Sequence, residues 1–266
     1  KCRVCDEIKL KKIFSLNNQP LANNLEKKYV KSKRFPLILN LCLDCFNCQL
    51  SFTVPSRILF KNYLYKSSIS QSFKKHFEKA CDYYVKFFKL NERSYILDIG
   101  SNDGIALIPF KKKKFKNLFG IEPARKLSKI TESLGIRTFT QFLNNKIANK
   151  NLAKFDLILA SNVFAHVNDL KNFTFCVNKM LKKEGVFIIE VQYLLNMLRE
   201  YTFDNIYHEH VNYWSVYALK NFFSKFNLEI FDVKKIKTHG GSIRVFVKKK
   251  ENKKITIKSS FYKILS

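Results

Sequence analysis

The residues Ile96-Leu97-Asp98-Ile99-Gly100-Ser101-Asn102-Asp103-Gly104 constrain this chain more than any other stretch. A β-type run breaks at once into a segment with two glycines, in a chain of 266 residues that holds only 7. Glycine at these positions lets the backbone turn tightly beside a ligand and lets the following helix start pack closely. Such a junction belongs to an open α/β sheet, where ligands sit beyond the carboxyl ends of the strands.

The flanking sequence has the matching rhythm. Strands are expected at Tyr95–Ile99, Asn117–Ile121, Phe155–Ala160, Gly185–Val191, Glu229–Lys235 and Ser242–Lys248, with a weaker one at Ile136–Phe139. Between them lie helical faces: Ala124, Leu127, Ile130 and Leu134; Leu170, Phe173, Val177 and Met180; and Val216, Leu219, Phe222, Phe223 and Phe226. An earlier helix is expected over Phe73, Phe77, Ala80, Cys81, Tyr84 and Phe88. Alternating strands and helices argue for a mostly parallel sheet covered on both faces. The last two strands are joined through His239-Gly240-Gly241, too short a link for a crossover helix, so they should pair antiparallel. Six parallel strands ending in such a hairpin is the Rossmann-like, seven-stranded layout of class I methyltransferases.

Residue types around the loop narrow the ligand. Glu122 ends the next strand, about 20 residues beyond the loop, where an acid can accept from two ribose hydroxyls. A dinucleotide site prefers G-x-G-x-x-G, but Asn102 holds the middle position and Asp98 precedes the first glycine. That favours S-adenosylmethionine, which is cationic and brings no pyrophosphate to the helix start. Asp98, Gly100, Asn102, Gly104 and Glu122 are the expected cofactor contacts, with Asn162 at the end of the fourth strand. His166 follows it and should stand beside the donor.

Cys2-x-x-Cys5 and Cys42-x-x-Cys45 suit one structural, tetrahedral Zn²⁺, although Cys48 offers a competing pair with Cys45. The chain carries 7 Cys and no secretory signal pattern, so a reducing, cytoplasmic setting is expected. No stretch is apolar for long enough to cross a membrane. The net charge is +28, but the excess is scattered lysine without an arginine strip, and an A/T-rich codon bias explains it better than nucleic-acid binding does. The Lys111–Lys114 run reads as a solvated helix end.

A last segment, Tyr207-His208-Glu209-His210, is dense in titratable groups. In an extended chain His208 and His210 share one side, which suits acid–base chemistry or a metal pair. These motifs together resemble the S-adenosylmethionine-dependent C-methyltransferases of deoxysugar biosynthesis, which act on nucleotide-linked keto-sugars. The resemblance runs through Cys2-Arg3-Val4-Cys5, Gln19-Pro20-Leu21-Ala22-Asn23, Cys42-Leu43-Asp44-Cys45, Tyr63-Leu64-Tyr65 with Ser67-Ser68, the glycine loop, Asn162-Val163-Phe164-Ala165-His166, Tyr207-His208-Glu209-His210 and His239-Gly240-Gly241-Ser242-Ile243-Arg244. Phe46 stands where that family usually has glycine.

The resemblance implies a zinc-binding module over 1–60, a helical linker or substrate cap over 61–92, a methyltransferase core over 93–250, and the truncated start of a C-terminal domain over 251–266. It implies His210 as the base that forms a sugar enolate, Glu209 as an orienting or hydroxyl-binding acid, and Tyr207, Tyr65 and His166 as hydrogen-bonding partners of the substrate. The alternatives are a zinc-ribbon RNA or DNA methyltransferase and a truncated, non-catalytic binding module. The sequence leaves the oligomeric state open.

Overall fold

The computed structural model describes residues 1–23, 32–60 and 65–265, so Tyr63 and Leu64 lie outside the described residues while Tyr65 lies within them. The N-terminal part contains β1 (Leu10–Pro20), β2 (Arg34–Cys42), β3 (Cys48–Leu50) and α1 (Ser56–Phe60), and a longer helix, α2 (Gln71–Phe87), follows. Next come β4 (Tyr95–Ile99), α3 (Ile108–Lys112), β5 (Asn117–Ile121), α4 (Arg125–Ser133), β6 (Arg137–Phe139) and α5 (Asn145–Asn149). The rest is β7 (Phe155–Ser161), α6 (Leu170–Met180), β8 (Leu181–Gln192), α7 (Leu194–Arg199), β9 (Asn212–Tyr213), α8 (Val216–Ser224), β10 (Leu228–Ile236), β11 (Ser242–Lys249) and α9 (Ser259–Leu265).

The large sheet runs β10-β11-β8-β7-β4-β5-β6. Strands β4 to β8 pair in parallel, and β11 alone runs against both its neighbours, β8 and β10. This is the expected layout, antiparallel hairpin included. Alternation along the strands explains why both faces are covered. Leu97, Ile99, Ile158 and Ile189 meet α6 and α8 on one face. Ile96, Leu157, Leu159 and Ile188 meet α2 and α3 on the other. Helix α2 turns Phe77, Ala80, Cys81 and Tyr84 inward, as its spacing requires.

Helix α4 departs from the expected apolar stripe. It buries Leu127, Ser128 and Thr131 and leaves Ile130 half-buried. The polar pair belongs inside because Thr131 Oγ1 donates to the Asn102 carbonyl at 3.0 Å and Ser128 Oγ accepts from Thr140 at 2.9 Å.

The small sheet is ordered β1-β2-β3-β9. Its fourth strand comes from beyond the histidine cluster: Cys48 and Gln49 pair with Tyr213 and Asn212. The chain then enters the core through Trp214, fully buried and stacked on Phe164 with centroids 5.2 Å apart.

His208 secures this join. Its buried ring donates from Nε2 to the Phe35 carbonyl on β2 at 3.2 Å and meets the Phe35 ring edge-on. Burial lowers its pKa, against the opposing pull of the carbonyls of Phe35 and Pro36. The unfolded chain therefore takes up a proton at His208 at higher pH than the folded one. Stability should be intact above about pH 6.5, the unfolded value, and decline as pH falls, by at most about 1.4 kcal/mol per pH unit. Urea midpoints of wild type and His208→Gln between pH 7.5 and 5.5 check this: the wild-type curve should be the steeper.

Candidate active site and metal centre

Two cysteine knuckles face each other at the base of the small sheet. The Asp6 amide bonds back to the Cys2 carbonyl and the Phe46 amide to the Cys42 carbonyl, at 3.1 Å each. Both turns put the residue after the second cysteine in the left-handed region, with φ of 68° at Asp6 and 57° at Phe46. That is the physical reason glycine suits the position Phe46 fills. The sulfurs of Cys2, Cys5, Cys42 and Cys45 all lie within 4.8 Å of one another, and the Cys2–Cys45 and Cys5–Cys42 pairs are each 3.5 Å apart. Four thiols at that spacing fit tetrahedral Zn²⁺, whose Zn–S bonds are about 2.3 Å. With four sulfurs no coordination position is open, so the site is structural. Cys48 stands apart, buried on β3 with Leu50 and Tyr213, which resolves the competing pair.

The carboxyl ends of β4, β5, β7 and β8 open onto a cavity of about 660 Å³. Asp98, Gly100, Asn102, Glu122 and Asn162 line it. Gly100 has φ 72°, and a Cβ there would run into Val163 Cγ2, so only glycine lets the loop pass. Gly104 lies off the cavity wall. Its φ is 84° and a Cβ would sit 3.3 Å from Thr131 Cγ2, so it serves close packing of the loop on α4. Asn102 is also left-handed, at φ 51°, the conformation for which asparagine is the usual substitute for glycine.

Both Glu122 oxygens are held by the backbone. Oε2 accepts from the Asn102 amide at 2.9 Å and Oε1 from the Ala124 amide at 2.8 Å. Burial still raises its pKa, with the two amides opposing. Asp98 is pushed well above the carboxylate range by burial, then by Glu122 and Glu190. Carboxyls that resist ionisation in the empty fold are stabilised as anions by a cation or by hydroxyl donors. The residues therefore fit S-adenosylmethionine, which offers both a cationic group and ribose hydroxyls.

Tyr65, His166, Tyr207 and His210 line the same cavity. The Tyr207–His210 segment is a turn, closed by the His210 amide on the Tyr207 carbonyl at 3.1 Å, rather than extended chain. A turn brings its first and fourth residues together and separates its second and fourth. So the Tyr207 and His210 rings pack in a tilted arrangement with centroids 4.4 Å apart while His208 points away to β2, and the two histidines do not share a side. His210 Nδ1 lies 2.9 Å from the Asn205 carbonyl, and Nε2 lies 3.2 Å from the Tyr207 hydroxyl. A carbonyl only accepts, so the neutral ring carries its proton on Nδ1 and its lone pair on Nε2. The His166 ring lies 4.9 Å from that of His210.

Glu209 is not on the cavity wall. It is buried behind the turn, with Oε1 accepting from Asn23 Nδ2 at 2.5 Å and Oε2 without a partner among the described residues. Burial raises its pKa, with Asn23 opposing.

One buried ionic group escaped sequence reasoning. Glu190 on β8 stands opposite Arg244 on β11 and binds its Nε at 2.6 Å, while His76 of α2 reaches the other Glu190 oxygen at 2.8 Å. Burial pushes Glu190 up, but the His76 hydrogen bond and the Arg244 charge outweigh it and hold the carboxylate low. The three residues lie far apart in the chain, and no local spacing announces them. Only the strand register, with the Arg244 of the His-Gly-Gly segment facing an acid, carries a signal.

Comparison with known proteins adds the following. A family described as "Methyltransferase domain" matches residues 73–233, and one described as "Putative zinc binding domain" matches residues 2–60. The C-methyltransferase NovU of Streptomyces niveus is 32% identical over 253 residues, which cover 92% of this chain and 60% of NovU. The chain thus spans well under two thirds of that relative. A S-adenosylmethionine-dependent methyltransferase from Clostridium acetobutylicum ATCC 824 superposes with a TM-score of 0.52 at 19% identity, over 66% of this chain and 92% of its own. The PH0226 protein from Pyrococcus horikoshii OT3 gives 0.54 at 13% identity, over 74% and 100%. At these identities the structural likeness is one of fold.

The metal centre makes a direct prediction. Purified protein should contain one zinc per chain by elemental analysis. Cys42→Ser should lose it, and Cys48→Ser should keep it. Chelation should lower the unfolding midpoint, because metal affinity is folding free energy.

Proposed function

The chain belongs to the methyltransferase-domain family, and from that premise we propose that it transfers a methyl group from S-adenosylmethionine to a carbon of a nucleotide-linked keto-deoxysugar by way of an enolate. The observation that carries the reading is the orientation of His210. Its Nε2 lone pair stands on the wall of the cavity that also holds the glycine loop, and its Nδ1 proton is pinned by the Asn205 carbonyl. A ring held this way is a base, and the carbonyl stabilises the imidazolium that forms.

Bound S-adenosylmethionine supplies a methyl on a sulfonium, which leaves as a neutral thioether. His210 Nε2 removes the proton alpha to the ketone, and the electron pair moves into the enolate. The Tyr207 hydroxyl, which donates to that Nε2 lone pair, turns to the ketone oxygen as the substrate enters; this frees Nε2 to act as base and places Tyr207 to donate to the enolate oxygen, with Tyr65 and His166 on the same wall. The enolate carbon then takes the methyl and the carbonyl reforms. Such preorganised donors each contribute about 3 kcal/mol of transition-state stabilisation. Glu209 acts through the turn, whose second face it fills beside Asn23.

On this reading residues 1–60 form the zinc module, 61–92 a segment capping the site and 93–250 the core. A nucleic-acid substrate is disfavoured because Arg57 is the sole lysine or arginine among the described residues lining the cavity, whereas a polyanion groove concentrates them. No helix of the described residues is long and apolar enough to cross a membrane. Seven cysteines, four of them grouped at the metal centre, suit the reducing cytoplasm.

Two measurements test the reading. Glu122→Ala should weaken S-adenosylhomocysteine binding by about 1.5–3 kcal/mol, roughly 10- to 150-fold by calorimetry. With a nucleotide 4-keto-6-deoxysugar in D₂O, wild type should exchange the alpha proton. His210→Ala should slow exchange and methylation by about 10²–10⁴-fold while still binding S-adenosylhomocysteine. Exchange that survives in His210→Ala and vanishes in His208→Ala would move the base. RNA methylation without any exchange would sink the sugar reading.

A further inference from the structure

The side chain of Asn102 faces the protein. Its Oδ1 accepts from the Ser67 amide at 3.1 Å and from the Asp103 amide at 2.9 Å, and its Nδ2 donates to the Tyr65 carbonyl at 3.0 Å. Beside it, Asp103 Oδ2 accepts from the Ser68 amide at 3.1 Å. The backbone amide of the same Asn102 holds Glu122 Oε2. One residue thus ties the acid that faces the donor ribose to the short segment that presents Tyr65. Oδ1 spends both lone pairs on amides, so the carboxamide has no acceptor left to offer the cofactor.

Residues 65–68 are no more than half-buried, Tyr65 is 50% exposed, and the 3₁₀ turn over Ser67–Ile69 has no side-chain cap. The two loop side chains tie the backbone of this strap to the donor loop. The left-handed φ of 51° at Asn102 explains the choice of residue: glycine fits this backbone but cannot latch, and most other residues strain it.

We propose that Asn102 is a positioning residue that latches the Tyr65 strap onto the donor loop, so that occupancy of the donor site and placement of Tyr65 against the sugar substrate are thermodynamically coupled. A ligand that orders Glu122 and the loop orders the strap, and by linkage a substrate that engages Tyr65 tightens the donor site by the same factor. The coupling to substrate rests on the methyl-transfer reading above. The latch does not.

Two variants remove the latch in different ways. Asn102→Gly keeps the backbone conformation and the amide to Glu122 while deleting the carboxamide. Ser67→Pro deletes the N–H that Asn102 receives; Lys66, at φ −102° and ψ 117°, already has the extended conformation a following proline requires. Hydrogen exchange of the amides of Ser67 and Ser68 is read first without ligand. Wild type should be protected at least about 10-fold over Asn102→Gly, and at Ser68 over Ser67→Pro, with urea midpoints showing that both variants fold. Equal exchange in wild type and Asn102→Gly would overturn the latch. S-adenosylhomocysteine should then add protection in wild type and none in the variants. If calorimetry shows no binding to wild type, the methyl-donor reading fails and the ligand-free comparison still decides the latch.

The coupling is read with the nucleotide keto-sugar. Its affinity should rise about 5-fold or more on adding S-adenosylhomocysteine to wild type, and by less than 2-fold in Asn102→Gly and Ser67→Pro. A residue that merely stabilised the loop would lower both affinities and leave their ratio unchanged. That outcome, or an undiminished ratio in both variants, would overturn the coupling.

Discussion

The short extended segment Val211–Trp214 is where the molecule is joined. Its two-residue strand pairs with β3, the Leu50 amide donates to the Val211 carbonyl, and the Val211 and Asn212 amides both reach the Ala165 carbonyl. Trp214 bridges to Tyr193, and its carbonyl accepts from Leu194. A few hydrogen bonds, dried by the Trp214–Phe164 stack, fix the small sheet to the large one. Low dielectric makes these bonds strong and makes any broken partner costly. The histidine turn lies immediately before this segment and His166 immediately after Ala165, so the geometry of the acid–base wall is inherited from the join. The cysteine centre packs into the same core cluster as Trp214 and Phe164, where it holds the start of β1 to the end of β2.

Electrostatics divide the molecule in a second way. The chain as a whole is strongly basic, yet the donor half of the cavity is acidic, with Asp98 and Glu122 at adjacent strand ends and Glu190 behind them. Glu190 is neutralised internally by Arg244 and His76. Among the described residues Asp98 and Glu122 have no such counter-cation, and burial raises both. One sheet thus carries two kinds of buried acid: one completed by an ion pair, and two that face the cavity without one among the described residues.

Much of this was legible in the sequence where the physics is local. The glycine loop, the alternating strands and the closing hairpin follow from period and turn chemistry, and β4, β5 and β11 fall within a residue of expectation. The cysteine spacing gave the ligand set. What failed was sidedness wherever a segment's conformation was assumed. His208 and His210 share a side only in an extended run, and this run is a turn. Ile130 was placed inside α4 because it is apolar, whereas Thr131 is buried for its bond to the Asn102 carbonyl. Glu209, which the resemblance implies as an orienting or hydroxyl-binding acid, lies off the cavity wall. The His76–Glu190–Arg244 group, and the β3–β9 pairing that sews the sheets together, are tertiary facts between distant residues with no local trace.

The chain's thrift with glycine leaves a mark on its helix ends. Helices α2, α3 and α4 all finish with the same closing bond, from the second residue past the cap to a carbonyl five residues back: Leu90 to Val85, Phe115 to Phe110 and Ile136 to Thr131. That closure forces the residue between into the left-handed region. Gly135 takes it at φ 73°, but Lys89 and Lys114 take it at 51° and 63°. Each lysine stores about 1 kcal/mol of backbone strain that a glycine would release, offset in part by placing an ammonium near the negative end of its helix. A compositional habit that looks, in the sequence, like surplus charge is in the folded chain a series of slightly sprung helix ends, remote from the site and open to relaxation one residue at a time.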